Sequence, residues 1–101
     1  MKVTRVQYTV RAEFVEQNKR NIEAVMRQLR AIGSNDVKYA VYLQQDGRTF
    51  MHVVHQNTAE AERFPTSLES FKIFQTQLKP NLDGPPKVEA FALVESSAPI
   101  F

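Results

Sequence analysis

Asp46-Gly47 sits between two runs of alternating residues, Val37 to Leu43 and Phe50 to Val54. Few dipeptides constrain a fold more. Aspartate and glycine both tolerate the positive φ that a two-residue type I′ turn needs at its central positions. The spacing predicts a hairpin through Gln45-Asp46-Gly47-Arg48, and such a turn fixes the register of the strands it joins. Gln45 then faces Arg48, Leu43 faces Phe50, Val41 faces His52 and Tyr39 faces Val54. One face of the hairpin carries Val37, Tyr39, Val41, Leu43, Phe50, His52 and Val54. The other carries Lys38, Ala40, Tyr42, Met51, Val53 and His55. The second strand is apolar on both sides, as a central strand should be.

The remaining chain supplies partners for this hairpin. Val3 to Val10 alternates, with Val6, Tyr8 and Val10 on one face, and reads as a strand. Glu13 to Ile32 reads as a long helix. Phe14, Val15, Ile22, Val25, Met26, Leu29 and Ile32 fall in one arc of roughly 120°. Glu16–Arg20 and Glu23–Arg27 are spaced as i,i+4 ion pairs on its solvated side. Gly33 is placed to cap it in the left-handed conformation. Thr66 to Leu78 reads as a second helix, with Thr66 and Glu69 at capping-box spacing and Leu68, Phe71, Phe74 and Leu78 on its apolar face. Lys87 to Glu95 is the last strand.

The order β-α-β-β-α-β is the split βαβ, or ferredoxin-like, arrangement: an α+β fold with a four-stranded antiparallel sheet. Two helices can cover only one face of that sheet. The other face would expose Met51, Val53, Phe91, Leu93 and Tyr42, more apolar surface than a soluble monomer usually shows. A homodimer through the open sheet face is therefore expected.

Composition narrows the function classes. The 101 residues fit one domain, 1–101, and include no cysteine, so disulfides and thiolate metal sites are excluded. No apolar run approaches the ~20 residues of a membrane helix. MKVTRVQYTV alternates where a signal peptide would be continuously apolar, so a cytoplasmic location is expected. A net charge of +2 is too small and dispersed to point to nucleic acid. An RNA-recognition domain shares the element order but needs a glycine-spaced aromatic octapeptide on its third strand, and RTFMHVVH lacks that spacing. No nucleic-acid partner is expected.

The segments VQYTVRAEFVEQN, VKYAVYLQQDGRTFMHVV, ESFKIFQTQL and PPKVEAFALVES, with the long first helix and the Pro-rich approach to the last strand, give the chain a wider likeness. It resembles the dimeric α+β barrel superfamily, in particular the antibiotic biosynthesis monooxygenase-like proteins. That resemblance implies a dimeric barrel, a ligand pocket between the helices and the sheet of each subunit, and cofactor-independent oxygenation of phenols among its activities. Haem-degrading relatives use a histidine on the second helix; LESFKIFQTQL has none, so neither haem nor another cofactor is expected.

Two polar residues interrupt the apolar faces. Asn18 falls inside the arc of the first helix, between Val25 and Leu29 in projection. A buried amide without partners costs about 1–3 kcal/mol, so Asn18 is either a ligand-binding group or an amide bonded within the core. His52 lies on the apolar face of the hairpin, opposite Val41 and diagonal to Tyr39. Histidine titrates near neutrality, so His52 is either a base or oxyanion partner, or a core histidine bonded to Tyr39. Both residues are the candidate catalytic groups.

Tyr39 and Tyr8 lie on apolar faces and are candidates for substrate binding, with Gln75 in the arc of the second helix. Phe50 and Phe74 would make an aromatic wall for a flat ligand, or simply core. His55, three residues from His52 on a strand, points to the opposite face, so the two cannot share a metal, and no metal site is expected.

Two functions stand side by side. One is a cofactor-independent monooxygenase acting on an aromatic or quinone-like molecule. The other is a non-catalytic small-molecule-binding or stress-response dimer with the same pocket.

Overall fold

The computed structural model describes residues 1–101. Four strands, β1 (Lys2–Thr9), β2 (Val37–Leu43), β3 (Thr49–Gln56) and β4 (Lys87–Phe91), form one antiparallel sheet in the order β2-β3-β1-β4. Two helices, α1 (Val15–Ile32) and α2 (Glu69–Leu78), pack on one of its faces. This is the ferredoxin-like α+β arrangement expected from the element order.

The hairpin register is the expected one: Leu43 pairs with Phe50, Val41 with His52 and Tyr39 with Val54. The turn that sets it is different. Only Gly47 has a positive φ, +74°, and Asp46 does not. The Gly47 N–H donates to the Gln44 carbonyl and the Gln44 N–H to the Thr49 carbonyl, so Gln45 and Asp46 occupy the central turn positions. Asp46 is released to act as a local acceptor. Its carboxylate takes the backbone N–H groups of Arg48 and Thr49, at 2.9 Å each, and the Thr49 hydroxyl at 2.6 Å. A four-residue loop and a two-residue turn on the same centre give the same pairing.

The core gathers Tyr8 and Val10 from the first strand and its extension, Phe14 and Val25 from the first helical segment, Phe50 from β3, and Leu68, Phe71, Phe74 and Leu78 around α2. The helix begins with a 3-10 turn, Ala12–Phe14, before α1. Ile32, expected in the buried arc, stands exposed at the end of α1. Gly33 ends α1 with φ +69°, its N–H on the Leu29 carbonyl. The expected i,i+4 ion pairs do not form; Glu16 takes Lys19 instead, and Arg20 donates to Gln17.

The start of α2 and the end of the last strand move furthest. Thr66 makes no capping box, because α2 starts at Glu69 and the Thr66 hydroxyl donates to the Arg63 carbonyl. The last strand stops at Phe91 rather than Glu95. Phe91 pairs with Val3, and β1 begins only one residue earlier, so residues beyond Ala92 have no strand to pair with in this chain. Val94 is consequently 95% exposed.

The face without helices carries Tyr42, Met51, Val53 and Phe91, as expected, together with Arg5 and Glu89; Leu93 lies beyond the end of the strand. The C-terminal residues reach the β2 margin of that face, where the Lys38 ammonium donates to the Ile100 carbonyl and lies 5.3 Å from the Phe101 ring centre. No helix is long and apolar enough to cross a membrane.

Candidate functional site

The site follows from the sheet register. In β1 and β3 alternate residues face the helices, and Val6 pairs with His52 while Tyr8 pairs with Phe50. In β2, Val41 is the other neighbour of His52, which leaves Tyr39 diagonal to it. His52 therefore lies between a tyrosine on each adjacent strand. The Tyr8 hydroxyl lies 2.6 Å from His52 Nε2, and the Tyr39 hydroxyl 2.5 Å from His52 Nδ1. From α1, Asn18 Nδ2 donates to the Tyr8 hydroxyl oxygen at 3.0 Å. Asn18, Tyr8, His52 and Tyr39 thus form one continuous chain across three strands and a helix.

The chain is dry. Asn18 is fully buried and His52 is 5% exposed. Burial alone pushes the His52 imidazolium down from 6.5 to about 4, so the ring is neutral at physiological pH. Burial also raises both tyrosines above the usual phenol range; Asn18 partly opposes this at Tyr8, and Tyr8 reinforces it at Tyr39. Asn18 Oδ1 is buried and has no partner.

A cavity of about 240 Å³ opens on this chain. The sheet contributes Val6, Tyr8, Tyr39 and His52; α2 contributes Phe71, Phe74, Gln75 and Leu78. Lys79, Leu82, Pro86 and Val88 complete the wall toward β4. Val88 faces the helix side yet is 65% exposed, because the helices do not extend over β4. Phe74 packs against both polar rings, 5.4 Å from His52 and 6.4 Å from Tyr8 between centres. Such a wall, mostly apolar with a few convergent polar groups, is what small-molecule sites share.

Of the residues singled out in the sequence, His52, Tyr8, Tyr39, Phe74 and Gln75 line this one cavity. Gln75 does so from an exposed position on α2. Asn18 and Phe50 do not line it: Asn18 stands behind Tyr8, and Phe50 stacks on the Tyr8 ring with centres 5.7 Å apart. Sequence reasoning did not single out Lys79, Leu82 and Pro86. They lie between α2 and β4, where no periodicity marks an inward face. The two histidines point to opposite faces, and no cluster of three potential metal ligands exists.

No family model matches the chain, and no curated protein matches it in sequence. Solved structures match its shape. One is an antibiotic biosynthesis monooxygenase, 12% identical, with a TM-score of 0.79 over 94% of this chain and all of that one. A protein of Nitrosomonas europaea, named as a candidate antibiotic biosynthesis monooxygenase, is 14% identical with a TM-score of 0.79 over 94% of this chain and 100% of its own. A similarly named protein of Deinococcus radiodurans is 14% identical with a TM-score of 0.74 over the full length of both. The chain has the fold of these antibiotic biosynthesis monooxygenase-like structures.

Proposed function

We propose that the chain binds an aromatic or quinone-like small molecule in the cavity between α2 and the sheet, and presents it to dioxygen without a cofactor. The observation that carries this reading is the Asn18–Tyr8–His52–Tyr39 chain ending on an apolar cavity. Phe71 and Phe74 offer faces for a flat ring. Dioxygen reacts with electron-rich phenolates and enolates, so a protein needs only to hold the anion, orient it and exclude water. The balance is that of a monooxygenase. A phenol bearing a free para position takes one oxygen atom at carbon and becomes a quinone. Its O–H and C–H hydrogens leave with the second oxygen atom as water.

His52 suits the role of oxyanion partner better than that of base. A group titrating near 4 removes protons poorly at neutral pH, and both of its nitrogens are engaged. The same observation favours the second reading, a binding protein without turnover. A thermal-shift screen with naphthols, naphthoquinones, flavins and haem tests binding. A ligand at a hundred times its dissociation constant stabilises by about 2.7 kcal/mol, several degrees in midpoint. Oxygen consumption with the ligand so found separates the two readings: uptake lost in Tyr39→Phe supports the enzyme, and binding without uptake leaves the binder. No shift with any ring compound overturns both.

We also infer that a second copy of the chain covers the helix-free face. Tyr42, Met51, Val53 and Phe91 are the apolar residues it would bury.

A further inference from the structure

A neutral imidazole carries one N–H and one lone pair. Both ring nitrogens of His52 face a tyrosine hydroxyl, so one tyrosine donates to the ring and the other accepts from it. The chain therefore has a direction, and Asn18 sets it. Tyr8 oxygen already accepts from Asn18 Nδ2. If Tyr8 also accepted from His52 Nε2–H, its own hydrogen would have no acceptor among the hydrogen bonds of this buried hydroxyl. Turning the Asn18 amide over would supply an acceptor. It would also strand an NH₂ group with two donors where only an oxygen is unpartnered now. Buried donors without partners are rarer in proteins than under-used carbonyl oxygens. The consistent arrangement runs one way: Asn18 N–H to Tyr8 oxygen, Tyr8 O–H to His52 Nε2, His52 Nδ1–H to Tyr39 oxygen. Every hydroxyl hydrogen in the chain is then used except that of Tyr39, which borders the cavity.

We propose that the Tyr39 hydroxyl donates into the cavity, beside the Gln75 amide and the Lys79 ammonium, and that the site selects ligands carrying an accepting oxygen: a phenolate, an enolate or a quinone carbonyl. This deepens the reading above and rests on it. Asn18, Tyr8 and His52 are positioning residues. They act on the ligand by fixing which way the Tyr39 hydroxyl points.

The proposal has a test that requires no ligand. Long-range ¹⁵N–¹H spectra of the wild-type protein report which imidazole nitrogen carries the hydrogen, with His55→Gln assigning the two rings. The expected result is the Nδ1–H tautomer at His52, the less common form of free histidine; an Nε2–H tautomer overturns the proposal. A second measurement reads the ligand side. 4-Nitrophenol is titrated spectroscopically while bound to the wild type and to Tyr39→Phe. A donating Tyr39 stabilises the phenolate, so the bound probe ionises about one pH unit lower in the wild type than in the variant. The opposite sign means that Tyr39 accepts, and overturns this proposal while leaving the pocket reading intact. Failure of 4-nitrophenol and the naphthols to bind the folded wild type overturns both.

Discussion

Arg5 of β1 and Glu89 of β4 pair in backbone register and again through their side chains, and the pair lies on the sheet face that carries no helix. The Arg5 guanidinium centre also stands 5.4 Å from the Phe91 ring centre. The Arg5 side chain holds the Glu89 carboxyl below the usual carboxylate range. A charge pair at this exposure contributes little by itself. In the dimer proposed above, its place among Met51, Val53, Tyr42 and Phe91 would give it another use, because opposite charges fix the register of an otherwise apolar contact. A second copy on this face predicts twice the chain mass by sedimentation at micromolar concentration. Val53→Lys should give a folded chain of single mass. A wild type that sediments as a single chain removes the dimer.

His52 makes acid stability a readout of the buried chain. Its folded value lies near 4, below the unfolded 6.5. Between those values the unfolded state binds more protons, so stability rises with pH through that window and is complete above it. At 1.36 kcal/mol per unit, the loss on acidification from 6.5 to 4 is about 3 kcal/mol. Urea melts at steps of pH should show this slope in the wild type and a flatter one in His52→Gln. The carboxylates Asp46 and Glu89, whose folded values are lowered, lose their contribution at still lower pH. Equal slopes in the two proteins would mean that the ring is already charged or hydrated in the fold.

The sequence placed His52 and Tyr39 on one face of the hairpin, and Tyr8 on the apolar face of the first strand, because a strand has period two and the hairpin register was legible from its symmetric centre. It placed Asn18 in the buried arc of the first helix, because the apolar period continues on both sides of it, but not over these rings. What it left open was which atoms meet, since hydroxyl and ring orientations depend on how far apart the strands and the helix sit. Phe50 illustrates the limit: the right face, the right residue type, yet stacked on Tyr8 and screened from the cavity. Thr66 illustrates another. A capping box is a local pattern, and here Leu68, with extended backbone and its side chain in the core, is the residue before the helix. The wall from Lys79 to Pro86 was illegible because irregular segments carry no period to read.

The hairpin loop separates backbone from side-chain contributions. A Cβ at Gly47 would meet nothing within 4 Å, so Gly47→Ala costs only the left-handed backbone, about 1–2 kcal/mol. Asp46→Ala instead removes the acceptor of three local hydrogen bonds. In thermal melts both variants should be destabilised with the hairpin register kept, visible as unchanged amide shifts along β2 and β3. A register change in Gly47→Ala would show that the glycine, and not the cross-strand pairing, sets the alignment.

Phe74 and Gln75 are neighbours on α2 with opposite expected effects. Phe74 packs against Phe71, Tyr8 and His52, and Phe74→Ala should cost about 3–5 kcal/mol in urea melts. Gln75 is exposed and has no side-chain hydrogen bond in the fold, so Gln75→Ala should stay within about 0.5 kcal/mol of the wild type. Its amide nevertheless borders the cavity. If that amide meets the ligand, one hydrogen bond to an uncharged group is lost. Naphthol affinity then falls about five- to tenfold, measured by calorimetric titration. Lys79→Ala should weaken the same binding in a salt-dependent way, since Lys79 is the cation on the cavity wall. Unchanged affinity in both variants would place the ligand away from α2 and require a different cavity.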